Sequence, residues 1–268
     1  MGPIRIRVKP KGINDTSEST INTGTAKVLS GRVFVLSVFV APFSNPWMPF
    51  DIERQKQKVF EAERWLKMQA LRYGKNVEFV NSAFGSDGSF MDNEMPDVYA
   101  SSSVKYHYPS KVLLKMGFPS KDAFVDWVRT KQECSQCLAI VFSNTSGRSY
   151  ASPATKELCE HNPKEYSMEC CFLYRYHTNT EIETNSAAIA HEMLHLFGAW
   201  DLYELDEHDH VRANKTALMF PNSIMLNSHR DIWETQIDEI NAWLVGLKEE
   251  GKDWYRWFEP DQDVYEIE

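Results

Sequence analysis

The stretch Val33-Phe-Val-Leu-Ser-Val-Phe-Val-Ala41 is apolar at every position except Ser37, and Pro42 follows it. A strand that is apolar on both of its sides is typical of the middle of a sheet covered on both faces. The stretch is too short for a bilayer-spanning helix, which needs about 20 apolar residues. It therefore predicts a central buried strand.

Helices and strands alternate along the chain after this strand. Helical or strand-like spacing of the apolar residues defines each of them. In chain order they are a helix over 52–73 capped by Asp51, a strand over 76–84, a helix over 121–130 capped by Ser120, a strand over 137–143, an edge strand over 147–152, a strand over 168–177 and an amphipathic helix over 230–250. This order predicts an α/β (α+β) fold, a mixed twisted sheet with packed helices.

The chain is predicted to consist of a leader and one domain. Residues 1–28 are polar and aperiodic, which predicts a flexible leader. Residues 29–268 are predicted to form a single domain, because a chain of 268 residues with 43% hydrophobic residues can bury a substantial core. Within this domain, residues 85–118 are rich in Gly, Ser, Asp, Tyr and Pro and predict an irregular insert.

The charge balance narrows the range of partners. The chain has 29 basic and 38 acidic residues, for a net charge of −9. A protein that binds nucleic acid through phosphates needs a basic surface, so we expect no nucleic-acid partner and at most a mild preference for basic ligands. Because no secretory leader or membrane span is recognisable, we expect a cytoplasmic protein without a membrane partner. Secretion by a route that needs no cleaved leader is the alternative.

Of the five cysteines, Cys134 and Cys137 form a C-x-x-C pair. A structural zinc site would need a second such pair or a Cys/His pair, and the adjacent Cys170 and Cys171 point to opposite faces of a strand. The cysteines therefore favour free or buried thiols, as in a reducing compartment, over a cysteine zinc site.

Two histidines four residues apart carry the clearest chemical signal. The residues from Ala187 to Phe197 favour a helix, which Thr184, Asn185 or Ser186 can cap. On this helix His191 and His195 leave the same face, so that both can reach one metal ion. Glu192 lies beside the first histidine, where it can accept a proton from a water at an open metal position.

A third ligand is predicted just beyond this helix. Gly198 can adopt the left-handed conformation that ends a helix, and the chain then brings Asp201 back towards the histidines. Two histidines, one aspartate and an open position are the composition of a catalytic zinc site. Glu204 and His208 follow closely and are alternative third ligands, although an acidic solvated loop is also consistent with them.

The sequence His191-Glu-x-x-His195-x-x-Gly198-x-x-Asp201 resembles the elongated zinc motif of the metzincin metallopeptidases. Most of that clan has histidine as the third ligand, whereas the snapalysin-like branch has aspartate. Pro221-Asn-Ser-Ile-Met225 resembles the methionine turn of the clan. The order of elements from residue 32 to 250 is also similar to that of a metzincin catalytic domain.

This resemblance implies a zinc-dependent metalloprotease. One Zn²⁺ held by His191, His195 and Asp201 would polarise the scissile carbonyl and activate a water, with Glu192 as the general base. A protein or peptide substrate would lie along the edge strand over 147–152. Tyr203 is a candidate donor to the developing oxyanion, and a core or surface role is equally consistent with it.

The sequence is also consistent with two other functions. The chain can be a metzincin-like binding or scaffold protein that binds zinc with weak or no turnover, although a site without catalysis would not need Glu192. It can also be a regulated protease kept latent by residues 1–28 or 85–118.

Overall fold

A five-stranded mixed sheet forms the centre of the protein. The computed structural model describes residues 7–8, 24–154, 159, 162, 168–203, 210–259 and 264–265. In chain order the strands are β1 (Arg7–Val8), β2 (Gly31–Val40), β3 (Val77–Phe84), β4 (Gln136–Gly147), β5 (Tyr150–Ser152), β6 (Cys170–His177) and β7 (Val264–Tyr265). The central sheet has the order β3-β2-β4-β6-β5, parallel except for the antiparallel edge strand β5. β1 and β7 form a separate antiparallel pair.

Helices cover both faces of this sheet. They are α1 (Pro49–Arg72), α2 (Ser102–Lys115), α3 (Lys121–Lys131), α4 (Ser186–Leu196), α5 (His210–Met219) and α6 (Glu239–Leu244), with 3₁₀ helices at Ile232–Glu234 and Asp253–Phe258. None of the described helices combines the length and the hydrophobicity that a membrane-spanning segment needs. The predicted α/β class, a mixed sheet with packed helices, is confirmed.

The alternation of side chains in β2 divides the interior into two cores. Val33 and Val35 pack with α1 and α4 on one face, whereas Phe34 and Leu36 pack with α2 and α3 on the other. All four side chains are buried. The prediction of a central strand apolar on both sides is therefore confirmed, and its two faces explain why helices are needed in two layers.

Two helices differ from their predicted form. The segment 85–118 is not irregular throughout, because α2 begins after Ser101, whose Oγ accepts a hydrogen bond from Val104 N. Tyr106 and Tyr108 of α2 are buried, and Tyr108 donates a hydrogen bond to Asp92. α1 begins at Pro49 without a side-chain cap, because Asp51 lies in the first turn and pairs with Arg175 instead.

The predicted helix over 230–250 is also wrong in its extent. The segment forms the 3₁₀ helix Ile232–Glu234 and then the short α6, separated by a bridge between Ser223 and Gln236. Asp238 caps α6 by accepting from Ile240 N and Asn241 N, so a new helix starts where the periodicity predicted a continuous one. α5 was not predicted at all.

Residues 24–28, which belong to the predicted leader, pack against the sheet. The buried carboxylate of Glu169 accepts hydrogen bonds from Thr25 N at 2.5 Å and Ala26 N at 2.8 Å. Gln136 Oε1 accepts from the next two backbone amides, at 2.7 and 2.9 Å. Apart from residues 7–8, the rest of the leader lies outside the described residues.

Glu63 of α1 gives a prediction about stability and pH. Its side chain is buried, accepts from Asn81 Nδ2 at 2.9 Å, and burial raises its pKa to about 7. Between about pH 4.5 and 7 the unfolded chain loses this proton while the folded chain keeps it, so stability falls as pH rises through that window. We expect Glu63→Gln to raise the free energy of unfolding by about 2–3 kcal/mol at pH 8 and by little at pH 4.5.

Urea unfolding of the parent protein and the variant at several pH values measures this difference. Glu53→Gln on the exposed side of the same helix is the matched control and should give no comparable gain in the free energy of unfolding at pH 8. A Glu63→Gln curve parallel to that of the parent would contradict the prediction.

Candidate metal centre

The two ends of α4 set the direction of its histidines. Asn185 caps the helix, with its side chain accepting from Ala188 N at 2.8 Å. At the other end Gly198 has a φ of +97°, a conformation that favours glycine, and Ala199 N donates to Leu194 O. This turn reverses the chain and directs residues 199–201 back alongside the last turn of the helix.

His191, His195 and Asp201 converge on a single point. The Nε2 atoms of the two histidines are 3.2 Å apart. Asp201 Oδ1 lies 3.2 Å from His191 Nε2 and 3.1 Å from His195 Nε2. Among the described residues this is the one group of three or more metal-ligand side chains whose ligand atoms lie close enough together to share an ion.

The hydrogen bonds of the two imidazoles indicate which ring nitrogens can bind a cation. His191 Nδ1 lies 3.1 Å from Ile224 O and His195 Nδ1 lies 2.9 Å from Ala199 O. A carbonyl oxygen only accepts, so both Nδ1 atoms carry the proton, and in the neutral rings both Nε2 atoms present lone pairs. Two lone pairs and a carboxylate oxygen facing one another repel unless a cation lies between them.

The spacing of these atoms fits a divalent cation. A tetrahedral zinc ion with bonds of about 2.0–2.1 Å holds its ligand atoms roughly 3.3 Å apart, close to the three separations observed. Asp201 Oδ1 is also buried without a hydrogen bond of acceptable geometry. The residues present therefore fit a metal ion, with three protein ligands and space for a fourth.

The electrostatics of the cluster also favour a cation. Burial disfavours ionisation of Asp201, but the neighbouring histidines hold its pKa well below its usual range. Burial likewise lowers the pKa of His195, but the Asp201 carboxylate outweighs this effect and raises the pKa to about 9 when only a proton is available. The carboxylate is therefore ionised, which is the form that binds a metal.

A buried polar network holds the residues around this cluster. Trp200 N donates to Asn241 Oδ1 at 2.7 Å, and Asn241 Nδ2 donates to Asp238 Oδ2 at 2.9 Å. The same carboxylate oxygen accepts from Ser223 Oγ at 2.7 Å. The network thus joins the chain before Asp201 to the turn at 221–226, whose Ile224 carbonyl orients His191.

Met225 lies in this turn and is fully buried. Its backbone oxygen accepts from Leu202 N at 3.0 Å, and its amide donates to Ser223 Oγ at 3.1 Å. The turn at 221–226, whose sequence resembles a methionine turn, therefore packs against the segment that carries Asp201.

Glu192 and Tyr203 lie on the open side of the cluster. Both line a cleft of about 500 Å³ together with His191. Burial raises the pKa of Glu192. Burial and the charge of Asp201 raise the pKa of Tyr203 well above its usual range, and its ring stacks on that of His191 with the centroids 6.2 Å apart.

The walls of the cleft come from parts of the chain that carry no motif. They lie at residues 148–149, 177, 179, 182–185, 188 and 226–229. The edge strand β5 packs beside α4, and it is shorter than the predicted 147–152. Apart from 148–149, which belong to the predicted edge strand over 147–152, these walls were not predicted, because loops become neighbours only when the sheet and helices are assembled.

The structure brings together four of the residues predicted for the site, Glu192 and the cluster of His191, His195 and Asp201. The alternative ligands Glu204 and His208 lie outside the described residues. Cysteines take no part in a metal cluster within the described part of the chain. Burial raises the pKa of Cys137 to about 12, which keeps it a thiol.

No known protein family matches the chain, and no curated protein sequence matches it. Among solved structures it is similar to the crystal structure of metalloproteinase-II from Bacteroides fragilis, with a TM-score of 0.34 and 12% sequence identity. The match covers 91% of this chain and 57% of that one, so this chain spans little more than half the length of the neighbour.

Proposed function

We propose that this protein is a zinc metallopeptidase of the metzincin type that hydrolyses peptide bonds within proteins or peptides. The observation that carries the proposal is the convergence of His191, His195 and Asp201 at 3.1–3.2 Å beside a buried glutamate in an open cleft. A purely structural zinc site has four protein ligands and needs neither the glutamate nor the cleft.

His191, His195 and Asp201 would hold the ion. The Nδ1–H group of each histidine donates a hydrogen bond to a backbone carbonyl, which fixes the orientation of the imidazole. When bound, zinc supplies Lewis acidity, which polarises a carbonyl and lowers the pKa of water. Nitrogen and carboxylate ligands suit zinc, although the donor set also accepts other first-row metals.

Glu192 is the proposed general base. Its carboxylate would take the proton of the attacking water and return it to the nitrogen of the leaving amine. Its burial favours this role, because a carboxylate with a raised pKa is a stronger base than one in water. Glu192 lies beside the metal ligands on α4 but does not belong to their cluster, so it is free to move the proton.

Tyr203 is proposed to stabilise the negative charge that develops on the carbonyl oxygen. Its raised pKa keeps the phenol protonated, so that it can donate a hydrogen bond to that oxygen. The ring position beside His191 places the phenol on the wall of the same cleft.

The edge strand β5 is the proposed support for the substrate backbone. It pairs with β6 on one side, and within the described residues no strand pairs with its other side. An extended peptide could add to that side through backbone hydrogen bonds, while the cleft selects side chains. This mode of binding suits peptide substrates, whereas the net charge of −9 disfavours nucleic acid.

The metzincin assignment is supported by the motif that includes Gly198 and Asp201 and by the buried Met225 turn under the site. Asp201 in place of the more common histidine favours the snapalysin-like type of ligand set. The mixed sheet with its antiparallel edge strand is consistent with this assignment.

The experiment that tests this function is hydrolysis of an unfolded, fluorescently labelled protein by the zinc-loaded chain. We expect the release of labelled peptides, its loss on chelation and its recovery when zinc is restored. A chain that binds zinc but releases no peptides would instead support the binding or scaffold function.

A further inference from the structure

Arg148 occupies a distinctive position at the rim of the proposed catalytic cleft. It lies just after β4, is exposed, and lines the same cleft as Glu192 and Tyr203. Arg148 therefore borders the space in which a substrate would lie.

The backbone around Arg148 is tightly held. A Cβ on Gly147 would lie 2.2 Å from the Tyr174 ring, so the chain passes this ring at a distance that only glycine allows. Gly147 O accepts from Thr178 N at 3.1 Å, and Tyr174 N donates to Ser149 Oγ at 3.1 Å. Both neighbours of Arg148 are thus anchored to β6 and the turn after it, which fixes where its side chain starts.

Arg148 has no ionic partner within the described residues. No carboxylate in that part of the chain lies within ion-pair distance of its guanidinium. The other arginine near this region behaves differently, because Arg175 contacts Asp51 Oδ1 at 2.5 Å, Asn144 Oδ1 at 2.9 Å and Glu183 Oε1 at 3.4 Å. As far as the described residues go, the guanidinium of Arg148 is therefore not engaged by a carboxylate.

The negative charges that line the cleft are already compensated. Glu183 is paired with Arg54 at 2.6 Å and Lys58 at 3.2 Å in addition to Arg175. Glu192 lies beside the proposed metal. Among the described lining residues, the cleft thus combines an arginine whose backbone is held in place with no unpaired acidic group other than Glu192.

We propose that Arg148 binds a carboxylate of the substrate and gives the cleft a preference for acidic peptides. This inference rests on the proposed peptidase function. The carboxylate can belong to an aspartate or glutamate side chain near the cleaved bond or to the C-terminus of the peptide, since a guanidinium binds either in the same bidentate geometry.

The proposed preference for acidic peptides is opposite to the preference for basic ligands that the net charge suggests. The net charge of −9 acts at long range, and salt screens it beyond about 8 Å at physiological ionic strength. A contact between Arg148 and a carboxylate inside a cleft is much shorter than that distance. The local arrangement therefore decides selectivity, while the net charge mainly affects the rate of encounter.

The test uses internally quenched peptides in matched pairs. One set places glutamate or glutamine at each of the positions on either side of the cleaved bond, and another has a free or an amidated C-terminus. We expect the zinc-loaded protein to hydrolyse the carboxylate member of one pair with about tenfold higher kcat/KM. Arg148→Gln should abolish this preference, and Arg148→Glu should reverse it in favour of the glutamine or amidated member of the pair.

Binding provides a second readout that does not require turnover. The affinities of the same peptides are measured by fluorescence polarisation for Glu192→Gln and for Glu192→Gln combined with Arg148→Gln. The matched control is Arg129→Gln, an exposed arginine of α3 on the opposite face of the sheet, which should leave both ratios unchanged.

The outcomes separate the two proposals. A carboxylate preference in binding that depends on Arg148, without any turnover, would support this inference and refute the peptidase function. Turnover without a carboxylate preference, or a preference that survives Arg148→Gln, would refute this inference and leave the peptidase function intact.

Discussion

Glu192→Gln is expected to lower kcat for peptide hydrolysis by about three orders of magnitude while leaving the metal bound. General acid–base catalysis contributes roughly 10²–10⁴-fold, and glutamine has the shape of glutamate but cannot accept the proton of the attacking water. Because Glu192 is not among the converging ligand atoms, the substitution should not weaken the metal site. Steady-state kinetics together with elemental analysis of the purified variant measure both quantities.

The matched control for this variant is Glu181→Gln, an exposed glutamate on the turn after β6. It should retain the activity of the parent protein. Activity of Glu192→Gln within tenfold of the parent, at equal metal content, would mean that another group moves the proton.

Asp201→Ala is expected to weaken zinc binding by at least about a hundredfold. Loss of a residue that only supports a metal ligand already costs 10–100-fold, and Asp201 supplies both a ligand atom and the negative charge that compensates the ion. His195→Ala should have a similar effect, because its Nε2 lies 3.1 Å from Asp201 Oδ1. Competition with a chelating dye gives the affinities.

Thermal unfolding provides an independent measurement of the same effect. A ligand that binds only the folded chain raises its stability, so zinc should raise the Tm of the parent protein much more than that of Asp201→Ala. His107→Ala, an exposed histidine of α2, is the control and should keep the full shift. If Asp201→Ala keeps its affinity and Glu204→Ala or His208→Ala loses it, the third ligand lies in the acidic segment instead.

The parts of the fold that the sequence predicted correctly depend on local patterns. β2 is apolar on both sides, and this alone required a sheet with two covered faces. His191 and His195 are four residues apart on one helix, so backbone geometry alone brings them together. The helix ends at Gly198, and the turn there brings Asp201 back towards them.

The parts that the sequence did not predict depend on distant neighbours. The 230–250 segment has helical periodicity, but Asp238 caps a new helix there and ties it to Ser223. In the insert, the buried pairing of Tyr108 with Asp92 stabilises a helix that the polar composition obscured. Arg148 carries no motif, and its place in the cleft follows from the packing of Gly147 on Tyr174.

One zinc ion is expected to bind between His191, His195 and Asp201. A crystal structure of the zinc-loaded protein with anomalous data on both sides of the zinc absorption edge tests this site. We expect one strong anomalous peak about 2.0–2.2 Å from the two Nε2 atoms and an Asp201 carboxylate oxygen. A peak bound elsewhere, or zinc-saturated crystals without a peak at these three side chains, would contradict it.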